Sequence, residues 1–261
     1  MQKRYVITGS TSGIGKALVE EFSKTDMVYA GYRNENLKLE GENIIPFYVD
    51  MSKPETISSA IDFINQHESI DTVINSAGCV VAGTVQNIPM EEFRRQFDVN
   101  VFGALEFTRG LNPAKVINIS SMSSFGIYPF IAPYCASKRA LDILFNLWSL
   151  ECGVKVISLK LGSVATPIWS KSIKENEKCF NSCTGYEKET EYLIKNALKN
   201  ETNGIPVKYI VDKIKKINNL KNPKPSYTIG LDAKLTEIFS HLPQGFINYV
   251  VDKKLKRMRS I

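Results

Sequence analysis

The stretch "VITGSTSGIGKAL" constrains the fold of this chain more than any other. An apolar run, Tyr5–Thr8, reads as a buried strand, and Ile14–Lys24 reads as a helix with Ala17, Leu18, Val19 and Phe22 on or near one face. Between them lie Gly9, Gly13 and Gly15, with the hydroxyls of Ser10, Thr11 and Ser12. A helix N-terminus offers free N–H groups and a partial positive charge, and glycine lets the backbone turn at positive φ or approach a ligand closely. The turn therefore suits a phosphate. Its G-x-x-x-G-x-G spacing departs from the usual dinucleotide loop, G-x-G-x-x-G, and an ordinary Gly/Ser turn stays open at this point.

The rest of the first two-thirds alternates in the same way. Strand signals at Val28–Gly31, Ile44–Val49, Thr72–Asn75, Val116–Ile119 and Val154–Leu159 are separated by helical ones. "SKPETISSAIDFINQH" reads as a helix capped by Ser52, with Pro54 in the first turn and Glu55 at the capping-box position. Pro89–Arg109 is mostly helical and Ala132–Glu151 is one long helix. Near-continuous apolar strands joined by helices imply a parallel sheet covered on both faces, with right-handed crossovers. The expected architecture is a single doubly wound α/β domain, the Rossmann type, over 1–261. Its core is 3–166, its lid a polar segment of short helices at 167–206, and its C-terminal extension 207–261. The extension holds a helix (Val207–Ile217), the segment "NPKPSYTIG" and two basic helices.

Thr8–Gly15 (T-G-x-x-x-G-I-G), the N-x-A-G strand end Asn75–Gly78, Asn100, Ser121 and the Y-x-x-x-K pair Tyr134/Lys138 together resemble the short-chain dehydrogenase/reductase family. The resemblance is strong over roughly 3–166. Tyr134 and Lys138, four apart on a helix, share one face. A tyrosine hydroxyl, with a pKa of about 10, is a poor base at neutral pH unless a nearby cation favours its anion. The resemblance implies Tyr134 as general acid/base and Lys138 as that cation and as a ribose ligand. Ser121, chosen over Ser120, Ser123 and Ser124, would orient the substrate oxygen, and Asn100 would hold a water linked to Lys138. Ser120 and Ser124 are assigned loop hydrogen bonding.

The cofactor implied is a nicotinamide dinucleotide on the Gly9–Gly15 loop. Asp50 would contact adenine, Asn75, Ala77 and Gly78 the adenosine side, and Val164 and Thr166 the carboxamide. Tyr32 stands where NAD-preferring members carry Asp, and Arg33 follows, suited to a 2′-phosphate, so NADP(H) is expected over NAD. Glu35 is the residue that could still reach a ribose. Leu161 replaces a proline the family often has, which implies a less rigid loop.

Phe125, Tyr128, Ile131, Ile168 and Trp169 are expected to wall an apolar pocket for a bulky hydrophobic alcohol or ketone. "YCASKRAL" and "PKPSYTIGLDAKL" resemble the hydroxysteroid and retinol dehydrogenase branch. An oxoacyl-thioester reductase and a non-catalytic NADP-sensing regulator are the alternatives.

Net charge is +6, of which the last ten residues carry +4, so the body is nearly neutral and a nucleic-acid partner is disfavoured. Five scattered cysteines and a strand beginning by Arg4 suit reduced thiols in a cytoplasmic protein without a targeting peptide. Cys179 and Cys183 could share a helical face, but the histidines, His67 and His241, are distant, so no metal is expected. The helix 134–150 is apolar almost all round, through Leu141, Ile143, Phe145, Leu147 and Leu150 among others, which implies burial against the sheet and against a second copy, as a homodimer or homotetramer. The tail "YVVDKKLKRMRSI" is expected to be a solvated basic helix rather than a membrane contact.

Overall fold

The computed structural model describes residues 2–67, 69–181 and 183–259. The strands are β1 (Arg4–Ile7), β2 (Met27–Tyr32), β3 (Ile44–Tyr48), β4 (Thr72–Asn75), β5 (Lys115–Ser121), β6 (Lys155–Leu161) and β7 (Ser226–Ile229). All pair in parallel in the order β3-β2-β1-β4-β5-β6-β7. The first helices are α1 (Gly13–Phe22), α2 (Pro54–Asn65), α3 (Met90–Phe97), α4 (Gly103–Leu111) and α5 (Ala132–Cys152). After β6 come α6 (Ile168–Glu175), α7 (Glu177–Asn181), α8 (Glu187–Asn203) and α9 (Val207–Asn218), and after β7 come α10 (Leu231–Ser240) and α11 (Gln244–Arg259).

Successive strand side chains point to opposite faces, and here both faces are apolar. Tyr5, Ile7, Ile74 and Ile117 pack under α1 and α9, against Leu18, Phe22, Ile210 and Ile214. Val6, Tyr29 and Val73 pack on the other face, against Ile57 and Ile64 of α2 and Phe107 and Leu111 of α4. Leu141 and Phe145 of α5 cover Val116 and Val156. The chain runs from β1 outward through β2 to β3, then returns to lay β4 on the other side of β1. That reversal opens a crevice at the carboxyl ends of β1 and β4, where open α/β sheets bind ligands.

Several local expectations change. Ser52 does not cap α2, whose N-cap is Lys53 without a side-chain bond. The Ser52 hydroxyl is captured instead by Asp50 Oδ1 at 2.7 Å. Pro54 begins the helix as expected. "NPKPSYTIG" contains the edge strand β7, and α8 runs 17 residues where short helices were expected. The stretch Pro89–Arg109 is broken by a π turn, Asp98–Phe102, which carries Asn100.

Candidate active site

The glycine loop joins β1 to α1 at the crevice. Gly9 and Gly13 have φ of +65° and +54°, a region that β-carbons disfavour. A Cβ on Gly15 would lie 2.2 Å from the Gly9 carbonyl oxygen, so the loop closes only with glycine there. Ser12 is the N-cap of α1 and makes no side-chain cap bond. The first-turn N–H groups, which have no carbonyl inside the helix, therefore face the cavity lined by Ser12, Gly13 and Ile14. This cradle fits the diphosphate of a dinucleotide. Thr8 ties the loop to the neighbouring strand end, its Oγ1 accepting from Ser76 N and Ala77 N at 3.2 and 3.1 Å.

Two of the expected ligands are turned away. Ser10 is buried, and its hydroxyl donates to the Gly31 carbonyl at 2.8 Å. The Asn75 amide lies inside the sheet on Thr108 and Asn118, at 3.0 and 2.9 Å. Gly9, Thr11, Arg33, Asp50, Ala77, Gly78, Val164 and Thr166 do line the cavity. Burial, the largest single effect, raises the Asp50 carboxyl, but the hydrogen bonds from Ser52 and the charges of Arg33 and Lys53 together outweigh it and hold Asp50 below the usual carboxylate range. Glu35 is occupied by Lys38 at 2.8 Å and by the Tyr32 hydroxyl, whose own pKa it raises. Arg33 lies 3.7 Å from Glu175 at the end of α6, and Glu175 is 3.9 Å from Arg95.

At the other end of the same cavity stand Tyr134, Ser121 and Lys138. Burial pushes the Tyr134 hydroxyl up to about 12, and its hydrogen bond with Ser121 acts in the opposite direction. Lys138 Nζ donates to the Ile119 carbonyl at 2.8 Å and sits 5.8 Å from the Tyr134 ring centre. Burial pulls this lysine down to about 8, with Asp142, a turn further along α5, opposing. Asn100 faces the same corner: its Oδ1 accepts from Cys79 N at 3.0 Å and its Nδ2 donates to Ser137 Oγ at 3.1 Å. The loop hydrogen bond expected of Ser120 and Ser124 is made by Ser121, which accepts from Ser123 N at 3.1 Å. The buried Ser120 and Ser124 hydroxyls have no partner among the described residues.

A family model described as short chain dehydrogenase matches residues 3–177. The chain belongs to that family. It is an NAD(P)-dependent oxidoreductase of the short-chain type. It is 27% identical to the NADPH-dependent 3-dehydrocapnine reductase of Ornithobacterium rhinotracheale, over 97% of each chain. It is 28% identical to estradiol 17-beta-dehydrogenase 2 of Mus musculus, over 97% of this chain and 74% of the relative. A short-chain dehydrogenase from Burkholderia cenocepacia, solved in complex with NADP, shares the fold, with a TM-score of 0.72 at 22% identity over 98% of this chain and 99% of that one.

The cavity of this short-chain dehydrogenase is one continuous chamber of about 1210 Å³. Tyr128, Ile131, Ile168 and Trp169 stand in its wall as expected. Phe125 does not, because its ring is turned under Lys160, with Nζ 4.1 Å from the ring centre. Tyr128 is braced by Thr236 of α10 at 2.9 Å. The loop after Leu161 is pinned without proline: Ser163 N donates to Asp232 at 2.7 Å, and Ile205 exchanges hydrogen bonds with Ser163 and Ala165. Leu161 itself pairs with Ile229 of β7.

The wall also contains residues that sequence reasoning missed. Leu193 and Ala197 come from α8, Leu235 and Phe239 from α10, and Val251, Leu255 and Met258 from α11. The spacing of 251, 255 and 258 was the signal available, a helical stripe inside a run read for its charge. α11 is therefore not solvated all round. It packs on α8, where Arg259 Nε donates to the buried Glu189 carboxylate at 2.7 Å. Ser260 and Ile261 of that tail lie outside the described residues.

Proposed function

We propose that this protein is an NADP(H)-dependent oxidoreductase that interconverts a secondary alcohol and a ketone on a bulky hydrophobic substrate, hydroxysteroid- or retinoid-like in size. One observation carries the reading. The hydrogen-bonded Tyr134–Ser121 pair, with Lys138 behind it, lies at the junction of a glycine-lined phosphate cradle and a chamber walled by Trp169, Leu193, Phe239 and Met258.

A bound nicotinamide would supply or accept the hydride. Tyr134 would hand its proton to the substrate oxygen during reduction and take it back during oxidation. Ser121 would orient that oxygen and stabilise charge developing on it. Lys138 would hold the ribose hydroxyls and favour the tyrosinate, with Asn100 fixing the corner through which a water reaches it. Gly9, Thr11, Ser12, Gly13, Ile14 and Gly15 would form the diphosphate site, Asp50, Ala77 and Gly78 the adenosine side, and Val164 and Thr166 the carboxamide site. NADP(H) is favoured because Arg33 lies at the cavity wall where a 2′-phosphate would sit, while Glu35 is engaged elsewhere. The NADPH dependence in the name of the Ornithobacterium relative and the steroid in the name of the mouse relative agree with this reading. Ile143, Leu147 and Leu150, exposed along α5, would form the contact between copies of a homo-oligomer.

The test is a screen of NADPH consumption across steroid, retinoid, acyl-thioester and simple aromatic ketones, with Tyr134→Phe alongside. Turnover of a hydrophobic ketone, abolished in the variant with NADPH binding retained, is the expected result. Activity confined to short acyl thioesters, or undiminished in Tyr134→Phe, overturns the reading.

A further inference from the structure

The chamber opens beneath a surface that its chemistry does not require. Leu231, Leu235 and Ile238 follow one another at helical spacing along α10 and are 80%, 68% and 68% exposed. Leu242, in the turn that follows, and Phe246 and Tyr249 of α11 extend the patch, the last two 50% and 61% exposed. Apolar residues scattered singly on a surface need no explanation, but a run on two consecutive helices marks an interaction site. Leu235, Ile238 and Leu242 line the chamber as well as the outer surface, so the patch is continuous with the chamber's mouth.

We propose that this α10–α11 cap docks on an anionic lipid bilayer and that the chamber opens toward it. Charge selects this occupant. Residues 231–259 hold six Lys and Arg against three Asp and Glu, a net +3. Asp232 is engaged by Ser163 N; Asp252 pairs with Lys256, and Arg259 with Glu189 of α8, which still leaves an excess of positive charge on this face. Lys253, Lys254 and Lys256 stand exposed on α11 beside the aromatic residues, the arrangement of an interfacial helix that pairs apolar side chains with a basic rim. A second copy would meet this surface less well, because a twofold contact sets like charge against like. No helix among the described residues is long and apolar enough to cross a membrane, so the contact is peripheral. Delivery of substrate through this face rests on the hydrophobic alcohol or ketone proposed above; the docking does not.

The experiment is co-sedimentation of the full chain with phosphatidylcholine vesicles, with and without phosphatidylglycerol. Binding is expected to the anionic vesicles and not to phosphatidylcholine alone, and to fall as salt screens the charge. Each lysine near an anionic surface is worth roughly fivefold in partitioning, so Lys253→Glu/Lys256→Glu should weaken binding by about 25-fold or more. Leu231→Glu/Tyr249→Glu should weaken it as well, and neither pair lines the chamber. NADPH binding reports that the variants fold. Absence of vesicle binding by the parent, or parental binding by both double variants, overturns the proposal. So does a change of oligomeric state in Leu231→Glu/Tyr249→Glu by light scattering, which would assign the patch to a second copy. Turnover of a water-soluble ketone, followed in parallel, separates the two readings: lost turnover with retained vesicle binding tells against the reaction and leaves the docking standing.

Discussion

Replacing Lys138 with Met keeps the length of the side chain and removes its charge from behind Tyr134. Nζ lies 5.8 Å from the tyrosine ring centre. The tyrosinate charge centres on the hydroxyl oxygen rather than the ring centre, and over roughly 4–8 Å at an effective dielectric near 20 a cation and an anion attract by about 2–4 kcal/mol. That energy corresponds to about two pKa units. It works against the burial that pushes the hydroxyl up to about 12. In the proposed mechanism alcohol oxidation uses the tyrosinate as base, so its rate would rise with pH through the apparent pKa of the pair, and loss of the cation would move that pKa upward. The prediction is a shift of about two units toward alkali in the kcat–pH profile at saturating NADP, and a fall of about 100-fold at neutral pH. The assay is steady-state oxidation of an alcohol identified by the ketone screen, with NADPH affinity measured separately because Lys138 is also assigned to the ribose. Lys138 itself is pulled by burial to about 8, so the profile reports the coupled pair rather than either residue. An unshifted profile accompanied only by weaker cofactor binding would refute the electrostatic role.

Three further outcomes follow from particular contacts. Gly15→Ala puts a methyl 2.2 Å from the Gly9 carbonyl oxygen, so the cradle must deform, and NADPH titration should show affinity at least about tenfold weaker. Glu175→Gln removes the carboxylate 3.7 Å from Arg33; for so exposed a pair the gain is at most about 1 kcal/mol, read as severalfold tighter NADPH with NADH unchanged. An equal change for both cofactors would remove Arg33 from the 2′-phosphate site. Tyr5, buried and pushed up to about 12, accepts from Asn218 at 2.9 Å. A raised folded-state pKa gives stability that is complete below the unfolded value of about 10 and is lost as pH rises toward about 12. Tyr5→Phe should cost about 1 kcal/mol at neutral pH and flatten that alkaline loss, as read by urea unfolding across the pH range.

Features that depend on near neighbours in the chain were legible in the sequence alone. Near-continuous apolar runs marked six of the seven strands described and helical spacing the long helix of Tyr134, because both patterns are set residue by residue along the chain. The glycine turn was legible for the same reason, since positive φ and close backbone approach are local demands. Tyr134 and Lys138 were paired by a four-residue spacing that any helix converts into a shared face. Only the tertiary structure decided how distant segments use these parts. It turned Ser10 onto the Gly31 carbonyl of β2, put Phe125 under Lys160, set Glu175 beside Arg33 and brought α8, α10 and α11 over the chamber. Those contacts join residues tens to hundreds of positions apart, and which hydroxyl, ring or carboxylate is buried depends on what packs against it from another element. The basic tail shows the limit most directly: its charge was plain in the sequence, but the stripe of 251, 255 and 258 acquires meaning only once α8 and the sheet edge give it something to cover.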